Sequence, residues 1–147
     1  MTGVDEFVGN WTYRSFNNEP EIEAPADALL VAWGNLILEA EEGADCEISG
    51  QLLMGGWDFT LSGTTTPGDP PTIQLRASGI ENTRTDGWIY DYIGYRVYSW
   101  PDGVAQRPTI VGSVIRVVPH EGAGGVIRET GETLSFVAVL RDSSDDS

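Results

Sequence analysis

The sequence contains no lysine and very little histidine or cysteine. All eight of its basic residues are arginine, and the 147 residues include one cysteine, Cys46, and one histidine, His120. The absence of lysine excludes Schiff-base chemistry on a side-chain amine. One cysteine forms no intrachain disulfide and no thiolate metal cluster, and one histidine without nearby ligands makes no histidine metal site. We therefore expect no metal and no cofactor.

Positive charge is scarce as well. The chain carries 23 acidic residues against 8 basic ones, a formal net charge of −15. Such a negative field argues against nucleic acid or an anionic membrane as a partner. The tail, residues 143–147, is typical of a solvated acidic terminus. We predict a single domain over residues 1–142, followed by a disordered tail.

Long apolar runs are also missing. No stretch approaches the roughly 20 apolar residues of a membrane span. The first ten residues, MTGVDEFVGN, have acidic residues where a signal peptide needs positive charge, and they lack its apolar run. These absences predict a soluble protein of the cytoplasm with no membrane partner, and they leave secretion by some other route open.

The chain is rich in short runs of β-branched and aromatic residues. They are separated by clusters of glycine, proline, aspartate and asparagine, a pattern typical of an all-β sandwich or barrel. The predicted strands are residues 7–16, 29–40, 46–54, 57–65, 71–79, 87–100, 108–119 and 132–142. Several of these runs alternate between apolar and polar residues, which indicates one buried and one solvated face. Eight such strands joined by short loops predict an antiparallel up-and-down β-barrel, which closes on itself and leaves no exposed edge.

The stretch VGNWTY, residues 8–13, resembles the Gly-x-Trp opening of the calycin superfamily, which includes lipocalins, fatty-acid-binding proteins and avidins. The resemblance implies a small ligand-binding barrel in which Trp11 closes one end. It also implies that an arginine from the last strand, Arg141, packs across that indole. Avidins place a short polar ligand residue two positions beyond this tryptophan, whereas this chain has Tyr13, so the resemblance does not extend to biotin.

A barrel of about eight strands either fills its interior with side chains or holds one small ligand. If Trp11 faces inward, Tyr13 and Ser15 do so too, because alternate residues of a strand share a face. By the same rule Trp57 and Phe59 point inward from the fourth predicted strand. On the seventh, we predict that Ser113 lies inside among aliphatic residues.

The sixth predicted strand, GWIYDYIGYRVYSW, is the most aromatic and its inward face is ambiguous. Burying Asp91 without a partner is costly, so we turn it outward and place Tyr90 and Tyr92 inside. Gly94 is a possible β-bulge, which would change the facing partway along the strand. Arg96, near one end of the barrel, is a candidate partner for a carboxylate or enolate on a ligand.

The second and eighth predicted strands are apolar on both faces. A soluble barrel does not usually leave such an outer surface exposed. Another subunit would cover this surface, so we predict a homodimer or higher oligomer. A covering loop formed by residues 17–28 is the alternative.

No motif defines a reaction. His120 opens a glycine-rich loop without the partners that a catalytic triad requires, and its role stays open. Two functions remain: a barrel that binds an apolar or aromatic metabolite, or a cofactor-independent cyclase or isomerase acting on a hydrophobic substrate. A purely structural barrel with a filled interior is the third alternative. The predicted ligand-binding residues are Tyr13, Ser15, Trp57, Phe59, Tyr90, Tyr92, Arg96 and Ser113.

Overall fold

A computed structural model of the chain describes residues 4–43, 45–121, 127–128 and 130–141. The elements are a 3₁₀ helix (Val4–Glu6), β1 (Gly9–Asn17), the short helix α1 (Ala26–Leu29), β2 (Leu30–Ala40), β3 (Glu47–Leu53), β4 (Phe59–Thr66), β5 (Thr72–Gly79), β6 (Ile89–Arg96), β7 (Thr109–Arg116), β8 (His120–Glu121), β9 (Ile127–Arg128) and β10 (Thr133–Val139). The predicted acidic tail lies outside the described residues.

Eight of these strands form one closed antiparallel barrel. Its order is β1-β10-β7-β6-β5-β4-β3-β2, and β2 pairs with β1 to close the circle. Each barrel strand therefore pairs with its neighbours along the chain, and β8 and β9 form a separate small hairpin between β7 and β10. The predicted eight-stranded up-and-down barrel is confirmed.

The alternating pattern of the strands decides which side chains fill the interior. In β4 the burial alternates, with Phe59 and Leu61 inside and Thr60 and Ser62 outside. The inward-facing residues of the other barrel strands supply the rest of the core. They are Trp11, Tyr13, Leu36, Leu38, Ile48, Leu52, Ile73, Leu75, Ala77, Tyr92, Ile110, Val114, Leu134, Phe136 and Ala138. One apolar core therefore extends through the length of the barrel.

Glycines occupy inward positions where two strands approach closely. A Cβ atom built on Gly112 of β7 would lie 2.0 Å from the carbonyl oxygen of Ile93 on β6, and one on Gly63 would lie 1.9 Å from that of Gln74. Any side chain there would push neighbouring strands apart. Gly94 serves the same purpose on β6, where the Cζ of Phe136 lies 3.0 Å from the position of a Cβ.

The two ends of the barrel differ. The end that contains the start of β1 is closed by the 3₁₀ helix and the residue that follows it. Val4 of the helix and Phe7 after it insert into the core with exposures of 6% and 0%. The opposite end carries the loops β1–β2, β3–β4 and β5–β6 and the connection from β7 to β10 that contains the β8–β9 hairpin.

Within the described ranges, no helix is long and apolar enough to cross a membrane.

Three sequence-based expectations about the strands were wrong. β6 ends at Arg96 rather than at residue 100, and its ladders with β5 and β7 run without a register shift, so Gly94 forms no bulge. The inward face of β7 carries Ile110, Gly112, Val114 and Arg116, so Ser113 is exposed on the outer surface. The alternative to an oligomer, a covering loop over residues 17–28, is not found on β2, because Val31 and Trp33 on its outer face are 44% and 64% exposed.

Candidate functional site

Four aromatic side chains gather at the open end of the barrel, and we call them the aromatic mouth: Trp57, Phe59, Trp88 and Tyr90. The ring centroids of Trp57 and Trp88 lie 5.5 Å apart, and those of Phe59 and Tyr90 lie 5.6 Å apart. Phe59 is 2% exposed and forms the base, whereas Trp57 is 40% exposed and forms the rim. The mouth therefore presents aromatic surface to solvent above an aromatic base.

The β5–β6 loop holds the mouth in place through Thr85. Thr85 is fully buried, and its hydroxyl donates a hydrogen bond of 2.7 Å to the carbonyl of Asp58 beside Trp57. Its carbonyl accepts a hydrogen bond of 2.8 Å from the amide of Trp88. One threonine thus ties together the two loops that carry the two indoles.

Two arginines lie against the mouth from different sides. The guanidinium of Arg84 is 5.1 Å from the ring centroid of Trp57, and that of Arg116 is 5.7 Å from the ring centroid of Tyr90. Both distances fall within the range of cation–π contacts. The mouth therefore combines flat aromatic faces with hydrogen-bond donors.

Arg116 is nearly buried and neutralised by the protein. Its side chain is 6% exposed, and its Nη1 forms an ion pair of 2.7 Å with Glu132. Burial lowers the pKa of Arg116, but the hydrogen bonds to Glu132 and Tyr90 outweigh this and raise it above its ordinary value. Arg116 therefore stays charged and holds the ring of Tyr90 in place.

Arg84, in contrast, is exposed and pairs with no carboxylate of the described ranges. The aspartates of the same two loops are engaged elsewhere. Asp58 accepts a hydrogen bond from the amide of Met54, and Asp86 accepts one from the amide of Asn82. The guanidinium of Arg84 is therefore accessible to a ligand.

Below the mouth, the centre of the barrel holds a pair of hydrogen-bonded tyrosines. The hydroxyl oxygens of Tyr13 and Tyr92 are 2.9 Å apart, and both rings contact Phe136. The hydroxyl of Ser15, which is buried, also bonds to Tyr13. These side chains contact one another across the interior.

Burial makes both phenols weak acids. It raises the pKa of Tyr13 to about 12, although the hydrogen bonds to Tyr92 and Ser15 lower it in part. It also raises the pKa of Tyr92 well above its ordinary value, helped by the neighbouring phenol of Tyr13. Both hydroxyls are therefore protonated at neutral pH and can donate hydrogen bonds.

At the closed end, Trp11 is covered by Arg96. The indole Nε1 donates to the carbonyl of Phe7 at 2.9 Å, and the guanidinium carbon of Arg96 is 6.0 Å from the indole centroid. Arg96 itself donates to the carbonyl of Glu6 at 2.6 Å and to its carboxylate at 2.9 Å. These contacts tie β6 to the 3₁₀ helix.

The expectation that Arg141 covers Trp11 was therefore wrong. Arg141 follows β10 and donates to the side-chain oxygen of Asn35 at 2.5 Å on the outer surface. Arg96 lies at the closed end, where its charge is paired with Glu6. It is therefore not placed to bind a carboxylate or enolate of a ligand at the open end.

This difference predicts unequal effects of two substitutions. Arg96→Met is expected to lower the free energy of unfolding by about 1.5–3 kcal/mol, because it removes two partly buried hydrogen bonds from a charged donor. Arg141→Met, which removes an exposed bond, is expected to change it by less than about 0.5 kcal/mol. Urea denaturation followed by tryptophan fluorescence measures both. Equal losses for the two variants would contradict the assignment of Arg96 to the closed end.

The structure brings together five of the eight predicted ligand-binding residues on the inner face of the barrel. Tyr13, Ser15, Phe59, Tyr90 and Tyr92 all lie there, between the open end and the centre. Trp57 precedes β4 and lies at the rim instead of inside the barrel. Arg96 lies at the closed end and Ser113 on the outer surface.

Sequence reasoning missed three residues of the mouth: Arg84, Trp88 and Arg116. Trp88 shares the parity of Tyr90 and Tyr92, which was a usable signal. Arg116 has the opposite parity to Ser113, so the expectation that Ser113 lies inside put Arg116 outside. No local pattern marks Arg84, because its position depends on how the β5–β6 loop folds over Trp57.

No metal site is evident in the described part of the chain. It contains no group of three or more histidine, cysteine, aspartate or glutamate side chains that could hold a metal ion. Two shallow depressions, of about 300 and 340 Å³, lie on the outer wall, one over β4–β6 and one over β2–β3. At the aromatic mouth, the 40% exposure of Trp57 leaves its indole accessible from solvent.

Comparisons with protein-family models, with curated proteins and with solved structures found no match to this chain. What defines its class is therefore the structure itself. The chain is a closed eight-stranded antiparallel barrel with one end plugged and one end lined by aromatic residues. This architecture is compatible with a ligand-binding barrel.

Proposed function

We propose that this protein binds a small, planar, apolar or aromatic molecule at the aromatic mouth. The observation that carries the proposal is the half-exposed indole of Trp57, held beside Trp88 over the buried ring of Phe59. Flat aromatic faces bind flat apolar groups through dispersion, the hydrophobic effect and offset stacking. A site of this composition, with a few polar groups at its edge, is typical of small-molecule recognition.

The ligand lies at the mouth and not in the centre of the barrel. Tyr13, Tyr92 and Phe136 occupy the centre with ring centroids 5.3–6.0 Å apart. A ligand stacked against Trp57 and Trp88 would meet Tyr90 below it and the guanidinium of Arg84 beside it. Arg84 is then the hydrogen-bond donor to a polar group on the ligand. The sequence analysis had suggested Arg96 for this role.

The alternative of a cofactor-independent cyclase or isomerase remains a prediction. The raised pKa values of Tyr13 and Tyr92 make these phenols hydrogen-bond donors at neutral pH and unsuitable as bases. Their hydroxyls bond to each other in the filled centre of the barrel, away from the aromatic mouth. The cytoplasmic location and the resemblance to calycins also remain predictions, since an eight-stranded barrel does not identify that superfamily.

Binding is tested by fluorescence titration with neutral planar probes such as 2-naphthol and with 2-naphthoate. We expect saturable quenching, and a loss of affinity of about 10-fold or more in Trp57→Leu, because that variant removes the exposed half of the stacking surface. Arg84→Gln is expected to weaken 2-naphthoate more than 2-naphthol. Trp57 lies in a loop at the rim, so its replacement should leave the barrel folded.

Trp33→Leu is the matched control. Trp33 is 64% exposed on the outer face of β2, so the variant removes one exposed indole without touching the mouth. Equal loss of affinity in Trp33→Leu and Trp57→Leu, or no quenching by any probe, would contradict the proposal. Analysis of the recovered ligand by mass spectrometry, with Tyr90→Phe as comparison, separates binding from turnover.

A further inference from the structure

An exposed apolar stripe runs along the outside of β6 and onto the loop that follows it. We call it the β6 stripe. Its members and their exposed fractions are Ile93 60%, Tyr95 46%, Val97 40%, Tyr98 59% and Trp100 66%. Ile115, which is 41% exposed, extends it onto β7, where it pairs with Asp91 in the ladder. A contiguous patch of this kind on a soluble protein marks an interaction surface.

The stripe is held in a defined shape. β6 is hydrogen-bonded to strands on both sides in a closed barrel, so Ile93 and Tyr95 have fixed positions. In the loop, the side chain of Gln106 bonds to both the amide and the carbonyl of Trp100, at 2.9 and 2.6 Å. The rings of Tyr98 and Trp100 meet edge to face at 5.0 Å. Such prior ordering lowers the entropy that binding loses.

The same topology limits how a partner can bind. Because β6 has no free edge, a partner cannot add a strand by hydrogen bonding and must pack with its side chains. Interfaces of that kind depend on a central group of buried aromatic residues, mainly tryptophan and tyrosine. Tyr95, Tyr98 and Trp100 provide such a group.

The β6 stripe is the outer surface on which two copies of this acidic chain would meet with the least repulsion. Each copy carries −15, so two copies repel each other through most of their surfaces. The five residues of the stripe include no carboxylate. Two carboxylates adjoin it. Asp91 on β6 is bound by two nitrogens of Arg76 at 2.8 and 2.9 Å, and Asp102 lies two residues beyond Trp100 at the loop end of the stripe. Contact here brings mostly neutral surfaces together, whereas a basic partner would be drawn to the acidic faces instead.

The size of the stripe fits the centre of a two-fold interface. Three half-exposed aromatic residues offer on the order of 100 Å² each. With the aliphatic members, this is roughly half of the ~800 Å² that each partner buries in a stable complex, and a polar rim supplies the rest. A two-fold axis across the middle of the stripe would place the Tyr98–Trp100 end of one copy over the Ile93 end of the other.

We therefore propose that this protein forms a homodimer through the β6 stripe. The proposal is independent of the binding function proposed for the aromatic mouth, which lies on the inner face and at the other end of β6. It also differs from the sequence-based expectation, which placed the contact on the second and eighth predicted strands.

Sedimentation equilibrium of the whole chain tests this proposal. We expect twice the 15.9 kDa mass of the chain, and an increase of the dimer dissociation constant of about 30-fold or more in Ile93→Glu. Tyr98→Ser, a change in the loop outside the barrel ladder, is expected to weaken the dimer as well. Thr64→Glu adds the same charge on the polar outer face of β4 and should leave the dimer intact.

Three results would overturn the proposal. The first is a wild-type chain that remains monomeric up to about 100 μM, a concentration at which even weak specific complexes form. The second is a dimer that dissociates in Trp33→Glu but persists in Ile93→Glu and Tyr98→Ser, which would move the contact to β2. The third is a monomer that sediments with phosphatidylcholine vesicles, which would make the stripe a lipid contact.

Discussion

Replacing Phe136 by alanine is expected to lower the free energy of unfolding by about 3–5 kcal/mol, the usual effect of truncating a buried phenylalanine. Phe136 is 3% exposed and its ring packs against Tyr13 and Tyr92, with centroids 6.0 and 5.3 Å away. Alanine would leave a cavity in the middle of the barrel, next to two hydroxyls that depend on this packing for their positions. Urea denaturation at pH 7, monitored by tryptophan fluorescence, measures the loss.

Gly94 supplies the matched control for this prediction. A methyl group at position 94 would lie 3.0 Å from the Cζ of Phe136, so Gly94→Ala alone is expected to cost about 1–3 kcal/mol through crowding. In a Phe136→Leu background the ring is gone, and the same substitution should cost at least about 0.5 kcal/mol less. Purely additive effects in this double-mutant cycle would show that the ring of Phe136 does not pack against Gly94.

The alternation of apolar and polar residues predicts the inner face well where one parity of a strand is apolar and the other is polar. In β4 and β5 the apolar residues face inward and the polar ones face water, as Phe59 and Thr60 illustrate. On β6 the cost of burying Asp91 points to the correct face for Tyr90 and Tyr92. The structure adds a reason that the sequence does not contain, because Asp91 pairs with Arg76 across the outer surface.

β7 shows where the same reasoning fails. Its odd and even positions carry two aliphatic residues each, Val111 and Ile115 against Ile110 and Val114, and the even positions face inward. The interior beside β6 is too narrow for a side chain at Gly112, and it takes the charged Arg116 because Glu132 pairs with it there. Hydrophobicity alone cannot predict such a face, since the space available and the ion pair depend on neighbouring strands.

The two ends of the barrel were less predictable than its wall. Trp11 was correctly expected to be buried, but the cation that covers it comes from β6 and not from the end of β10. The aromatic mouth depends on two loops, and the buried hydroxyl of Thr85 joins them. Contacts between loops that are distant in sequence leave no periodic signal in either loop.

Raising the pH from about 10 to 12 is expected to destabilise the protein by about 2–3 kcal/mol or more through its buried tyrosines. Burial raises the pKa of Tyr13 from 10.0 to about 12, and it raises the pKa of Tyr92 as well. In the unfolded chain both phenols lose their protons near pH 10, whereas in the folded barrel they retain them. The stabilisation is therefore complete below the unfolded pKa and is lost as the pH rises through the folded one.

Urea denaturation at a series of pH values from 8 to 12 measures this loss, and absorbance at 295 nm reports phenolate formation in the same samples. The comparison is a Tyr13→Phe, Tyr92→Phe double variant, which removes both hydroxyls together and so leaves neither without its partner. All other titrating groups are the same in the two proteins, so the difference between their slopes isolates this pair. If the double variant loses as much stability above pH 10 as the wild type, the hydroxyls of Tyr13 and Tyr92 are not buried together in the centre of the barrel.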